Sequence, residues 1–161
     1  MALLPSQFAI LKAAILADPV LTAQPNNEDG AFTIAAAFNA TAVPDFWVFK
    51  TRVTNEEIGD AMNGTEITGL ASLPMQRLQV LGAYSNGTQN PSRADRRAAF
   101  DQVFSGAGGA TTRASLAVLW RRLATRAEKL FATGTGSTGS PATMSFEGAL
   151  TFAEVLSARN S

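Results

Sequence analysis

Arg113-Ala-Ser-Leu-Ala-Val-Leu-Trp-Arg-Arg-Leu-Ala-Thr-Arg-Ala-Glu-Lys-Leu-Phe-Ala132 is a run of twenty residues with no glycine or proline. Leu116, Leu119, Trp120, Leu123, Ala127, Leu130 and Phe131 recur at the i, i+3, i+4, i+7 spacing, which predicts one amphipathic helix with a single apolar stripe. Arg121, Arg122, Thr125 and Lys129 lie largely off that stripe. Thr111 and Thr112 suit the N-cap. At about 1.5 Å per residue the helix would be about 30 Å long, enough to span a small domain. It stops where Gly134-Thr-Gly-Ser-Thr-Gly-Ser-Pro141 begins. Eight residues of this kind bury little apolar surface and predict a mobile hinge. The organisation expected is a helical domain over 1–133 and an extension over 134–161, made of the hinge, a strand and a short helix.

Outward from that run, the punctuation predicts further helices. Pro5-Ser6 opens one that Asp18-Pro19 stops. Ala31 to Ala40 is alanine-rich, with Phe32, Ala35, Ala36 and Phe38 as its expected core. Asp45 to Val53 is too short for periodicity to separate strand from helical turn. Thr54-Asn-Glu-Glu57 is a capping box that starts a helix running to about Met62. Ser72-Leu-Pro74 starts another, with Leu73, Leu78, Leu81 and Tyr84 inside. Asn90-Pro91 begins a helix toward Gly106. Ala142-Thr-Met-Ser-Phe146 alternates like a strand, and Thr151-Phe-Ala-Glu154 caps a last helix. The fold class is mainly α: a helical bundle with one long central helix and a small β element near the C-terminus.

The chain has 161 residues, 46% hydrophobic and 16% charged, with no Cys and no His. That composition is globular, and it removes disulfides, thiolate chemistry, the usual general base and the commonest metal ligand. The N-terminal segment lacks a basic n-region and nothing approaches a membrane-spanning length, so a soluble protein is expected. Net charge is zero but unevenly spread. Residues 1–70 hold three bases against eight acids, net −5, and residues 71–161 hold ten bases against five acids, net +5. Such asymmetry suits a subunit that meets its neighbour head to tail.

Three patterns invite chemistry. Gly134, Gly136 and Gly139 satisfy G-x-G-x-x-G, but a dinucleotide site needs a strand before the glycines and a helix after them, and the order here is reversed. Glu56, Glu57 and Asp60 share a helical turn where a hard cation could bind, although carboxylates in a first turn also serve the helix dipole. Arg93, Arg96 and Arg97, with Arg121, Arg122, Arg126 and Lys129, make a basic set. Interspersed acids and a pI near 6.2 fit salt bridges to another subunit better than phosphate contacts. No catalytic residue, cofactor or metal is expected.

Arg126-Ala-Glu-Lys-Leu-Phe-Ala-Thr-Gly-Thr-Gly136 followed by Pro141-Ala-Thr-Met-Ser-Phe-Glu-Gly148 resembles the C-terminal signature of tailed-bacteriophage virion proteins. The resemblance extends back through Ser105-Gly-Ala-Gly-Gly109 and to Pro44-Asp-Phe-Trp-Val-Phe-Lys-Thr51. In size and helix content the chain is similar to head–tail adaptor (connector) proteins. The resemblance implies a structural virion protein and not an enzyme, forming a dodecameric ring in the neck. Its partners would be itself, the portal and tail or nozzle proteins, with genomic DNA only passing through and no membrane. The rivals are a tail-completion, tail-terminator or capsid decoration protein, a small helical DNA-binding packaging factor, and a carboxylate-based metal hydrolase. The expected subunit or portal interface is Arg121, Arg122, Arg126 and Lys129 together with the arm Ala142, Thr143, Met144, Ser145 and Phe146. That arm is expected to pair either with the 46–52 run of its own chain or, preferentially, with a neighbour's sheet edge.

Overall fold

The computed structural model describes residues 3–161. In chain order the elements are α1 (Pro5–Leu16), α2 (Pro19–Thr22), α3 (Glu28–Asn39), β1 (Trp47–Phe49), β2 (Val53–Thr54), α4 (Asn55–Ala61), α5 (Gly64–Thr68), α6 (Ser72–Ala83), β3 (Thr88–Gln89), α7 (Ala94–Val103), a 3-10 turn (Ala107–Gly109), α8 (Ala110–Leu119), β4 (Arg121–Leu123), α9 (Arg126–Leu130), β5 (Ala132–Thr133), β6 (Thr143–Met144) and α10 (Phe152–Asn160). The fold is mainly helical, and the described residues form three two-stranded sheets in the orders β1–β4, β2–β3 and β5–β6. Two units divide the chain: residues 3–48 with 123–161, and residues 49–122. The 134–161 segment belongs with the first unit, so this division does not follow the boundary expected at 133/134.

The run that organised the sequence reading is not one helix. It is α8, β4, α9 and the start of β5. The cause is written in the chain: Thr125-Arg-Ala-Glu128 is itself a capping box, with Thr125 Oγ1 accepting from the Glu128 N–H and Glu128 accepting from the Thr125 N–H. A box of this kind satisfies the orphan donors of a new helix start, so it favours an N-terminus in the middle of the run. Leu116, Trp120, Ala127 and Phe131 are buried as the stripe requires, but in two different units. Leu123 is 38% exposed.

In the first unit, α1, α3, α9 and α10 enclose a core of Leu11, Ile15, Ile34, Phe38, Phe131, Phe146 and Val155. Asn27 caps α3 through the Gly30 N–H, which sets the helix phase so that Ala31, Ile34, Ala35 and Phe38 face inward. Phe32 and Ala36, expected in the core, face outward. The small inward residues Ala31, Ala35 and Ala158 let α3 and α10 pack closely.

The 134–141 segment, expected as a mobile hinge, is docked on this unit. Gly136 is buried, its carbonyl accepts from the Trp47 N–H at 2.7 Å, and Ser140 folds back onto Ser137. The strand after it is paired within its own unit. Ala132 faces Met144 and Thr133 faces Thr143 in the β5–β6 pair. Ala142 bridges Val48 in parallel and donates to the Trp47 carbonyl at 2.9 Å. The expected alternative of the 46–52 run is therefore realised at Val48, and the premise of an unpaired arm fails. The first residue of β5, Ala132, ends the run that periodicity reads as helix, which hides the strand.

In the second unit, Val53, Ile58, Phe100, Val103, Phe104, Leu116 and Trp120 form the core, with Phe100 and Trp120 edge to face at 5.7 Å. The Thr54–Glu57 capping box forms as expected. Glu66 closes α5 onto α8: its two oxygens accept the Thr111 and Thr112 backbone N–H groups at 2.9 and 2.8 Å. Hydrogen bonding from the Thr112 hydroxyl first, and then from these amides, holds the Glu66 carboxyl down at about 2 against an ordinary 4.5. A carboxylate lowered in the folded state adds stability that is complete above its unfolded pKa and is lost as pH falls toward the folded value. The Tm difference between the wild type and Glu66→Gln is therefore expected to hold steady above about pH 5 and to vanish between about pH 4.5 and 2. A difference independent of pH across that window would assign the effect to packing instead.

Candidate subunit interface

The four basic residues expected to act together are divided. Arg121 and Arg122 lie in β4 of the second unit, half-buried and already engaged by other groups of the chain. Arg126 and Lys129 lie one turn apart on α9 of the first unit and line one groove of about 490 Å³ with Ala17, Phe38, Val43 and Leu130. The Arg126 guanidinium donates to Asp18 at 2.8 Å and lies 4.7 Å above the Phe38 ring. Asp18 in turn caps α2 by accepting from the Val20 and Leu21 N–H groups, and Arg126 is the main reason its carboxyl sits below the usual range. Arg126 is thus committed to structure. Lys129 lies 5.5 Å from the Phe46 ring and has no ion-pair partner among the described residues.

The arm residues are also divided, by the period of two along a strand. Ala142 and Phe146 are buried, Met144 is half-buried, and Thr143 and Ser145 face outward. Phe146 packs edge to face on Phe131 at 5.6 Å. Ser145 donates its hydroxyl to the Phe131 carbonyl at 2.6 Å and accepts from the buried Gln7 amide at 3.3 Å. Thr143 is the arm residue that reaches solvent without such a role.

Two more of the basic set are spent locally. Arg93 pairs with Asp95 at 2.6 Å, and Arg97 lies 3.8 Å above the Phe49 ring. Among the carboxylates, Glu57 is the capping partner of Thr54, and the Thr54 amide and hydroxyl lower its pKa. Among the described residues no group of three or more acidic, His or Cys side chains is placed to hold a metal ion, and no helix is long and apolar enough to cross a membrane.

Sequence reasoning missed what the two-unit division does to the charge. The first unit carries four bases against seven acids, net −3, and the second nine bases against six acids, net +3. Splitting the chain by halves caught the sign of the asymmetry but not its structural boundary. It also missed two outward apolar faces. Phe32 on α3, Leu73 and Val80 on α6 and Tyr84 at its C-cap are all exposed, although Phe32, Leu73 and Tyr84 were expected in the core. The signal available on α3 was the phase: Phe32 lies two residues from the buried Ile34 and so falls on the opposite side of the helix.

No family model, curated protein or solved structure matches this chain.

Proposed function

We propose that this chain is a structural virion protein of a tailed bacteriophage, a ring-forming head–tail adaptor that joins the portal to the tail and lines the DNA exit path. The observation that carries the assembly reading is the opposite net charge of the two units, −3 and +3. The negative unit of one copy attracts the positive unit of the next, and a heterologous contact of that kind closes into a ring when its rotation permits. A net charge of zero leaves no overall repulsion to oppose it. The assignment to the phage neck rests on the resemblance of the 126–136 and 141–148 segments. On this reading the protein is not an enzyme and needs no cofactor.

Electron-microscopy class averages of the purified protein, alone and with portal protein, test it. The expected result is a closed ring, twelve-fold in symmetry, that loosens as salt rises because exposed charges are screened over about 10 Å at 0.1 M. A six-fold ring points to a tail terminator. A chain that stays monomeric at every concentration, with and without portal, would sink the proposal.

A further inference from the structure

We propose that α6 forms one half of a head-to-tail contact between copies of this chain, and that the acidic aromatic face of α3 on the next copy forms the other half. The inference rests on the self-assembly reading above and names its surfaces. α6 is a twelve-residue helix with no buried residue. Leu78 and Leu81 pack half-buried on the core of the second unit. The neighbouring stripe, Leu73, Arg77, Val80 and the C-cap residue Tyr84, follows a 4-3-4 spacing along the adjacent, exposed face. Leu73 is 56%, Val80 54% and Tyr84 82% exposed. Single exposed apolar residues are ordinary, but three on one stripe make a patch of the kind that marks an interface. Beside it runs a groove of about 410 Å³, whose lining includes Ala99 and Gln102 of α7 and in which Arg77 is the one charge. Arg77 has no ion-pair partner among the described residues.

Charge selects the occupant. Two α6 faces brought together would set Arg77 against Arg77, so a symmetric contact is disfavoured. On the first unit, the exposed side of α1 includes Lys12, and the Val43 loop sits beside Arg126 and Lys129; both would repel Arg77. α3 differs. Phe32 is 54% exposed and stacked on Phe152 at 4.4 Å, with Asp29 one turn earlier on the same face and its carboxylate unpaired among the described residues. The Phe32–Phe152 pair supplies a rigid aromatic knob for Leu73 and Val80. Asp29 supplies the counter-charge for Arg77, and the aromatic ring accepts the guanidinium on its face. The contact joins the −3 unit of one copy to the +3 unit of the next.

Because each copy uses two different surfaces, the contact has a diagnostic mixing behaviour. A groove variant, Leu73→Glu with Val80→Glu, and a knob variant, Phe32→Glu, are each expected to assemble about 30-fold or more weakly in sedimentation velocity. Mixed one to one, the intact knob of the first enters the intact groove of the second, and the mixture forms dimers that grow no further. As a second pair that leaves the apolar surfaces alone, Arg77→Glu and Asp29→Lys should each weaken assembly, and both together in one chain should restore it. Wild-type assembly by the groove or knob variant, a mixture that stays monomeric, or a charge swap that fails to restore would overturn this contact while leaving the ring reading standing. A wild-type chain that is itself monomeric would overturn both.

Discussion

Gly136→Ala is expected to destabilise the first unit by about 2–5 kcal/mol. Two effects add. Gly136 has φ +65, a left-handed backbone that costs an L-residue about 1–2 kcal/mol. A Cβ there would stand 2.1 Å from Cε2 of Phe46, a distance at which something must move, and overpacking of this kind costs about 1–3 kcal/mol. Relief is not cheap on either side. The Gly136 carbonyl is held by the Trp47 N–H, and the Phe46 ring packs against the small cluster of Val48, Ala124 and Ala142. Gly139→Ala in the same loop is the control, because nothing lies within 4 Å of its Cβ and its φ is not positive; its effect should stay within about 0.5 kcal/mol. Denaturant unfolding followed by amide exchange reads the two units separately. A loss below about 1 kcal/mol at Gly136 would mean that the loop does not dock on Phe46.

That loop shows how far composition can mislead. Gly, Ser and Thr read as a hinge because they bury little apolar surface, and that remains true of the side chains. What docks the segment is its backbone: a glycine with no Cβ lets the main chain lie against a ring, and a carbonyl finds the Trp47 amide. Composition does not register either contact. The capping boxes were the most legible features, since Thr54–Glu57 and Thr151–Glu154 both form with reciprocal bonds. The same rule applied to Thr125–Glu128 would have divided the supposed long helix. An uninterrupted apolar stripe masks that local start signal. Thr125 and Glu128 win because the cap satisfies backbone donors, whereas Leu123 at the stripe's centre gains little from a position that is 38% exposed. The mainly helical class was legible from periodicity. The phases of α3 and α6 were not, because Phe32, Leu73 and Tyr84 look like core to any reading that weighs residue type before cap position. The charge asymmetry was visible in the sequence, but its boundary depends on the return of residues 123–161 to the first unit, a long-range pairing that no local pattern encodes.

Phe146→Ala is expected to cost about 3–5 kcal/mol, the range for deleting a buried aromatic side chain. Phe146 is 1% exposed and sits among Phe131, Leu150 and Val155 in the core of the first unit, with its ring edge to face against Phe131. Its removal leaves a cavity at the point where the segment leading to α10 enters the core, so amide protection across β6 and α10 should fall together. Thr143 on the same strand is exposed, and Thr143→Ala should shift stability by no more than about 0.5 kcal/mol. The pair separates two roles for the arm. If Phe146 served assembly, its truncation would leave the isolated monomer as stable as the wild type and lower only the yield of rings. If it serves the core, the monomer itself loses stability at any protein concentration, and any loss of rings follows from that. Unfolding measured at a dilution that excludes assembly decides between them, and an unchanged midpoint there would return Phe146 to the interface.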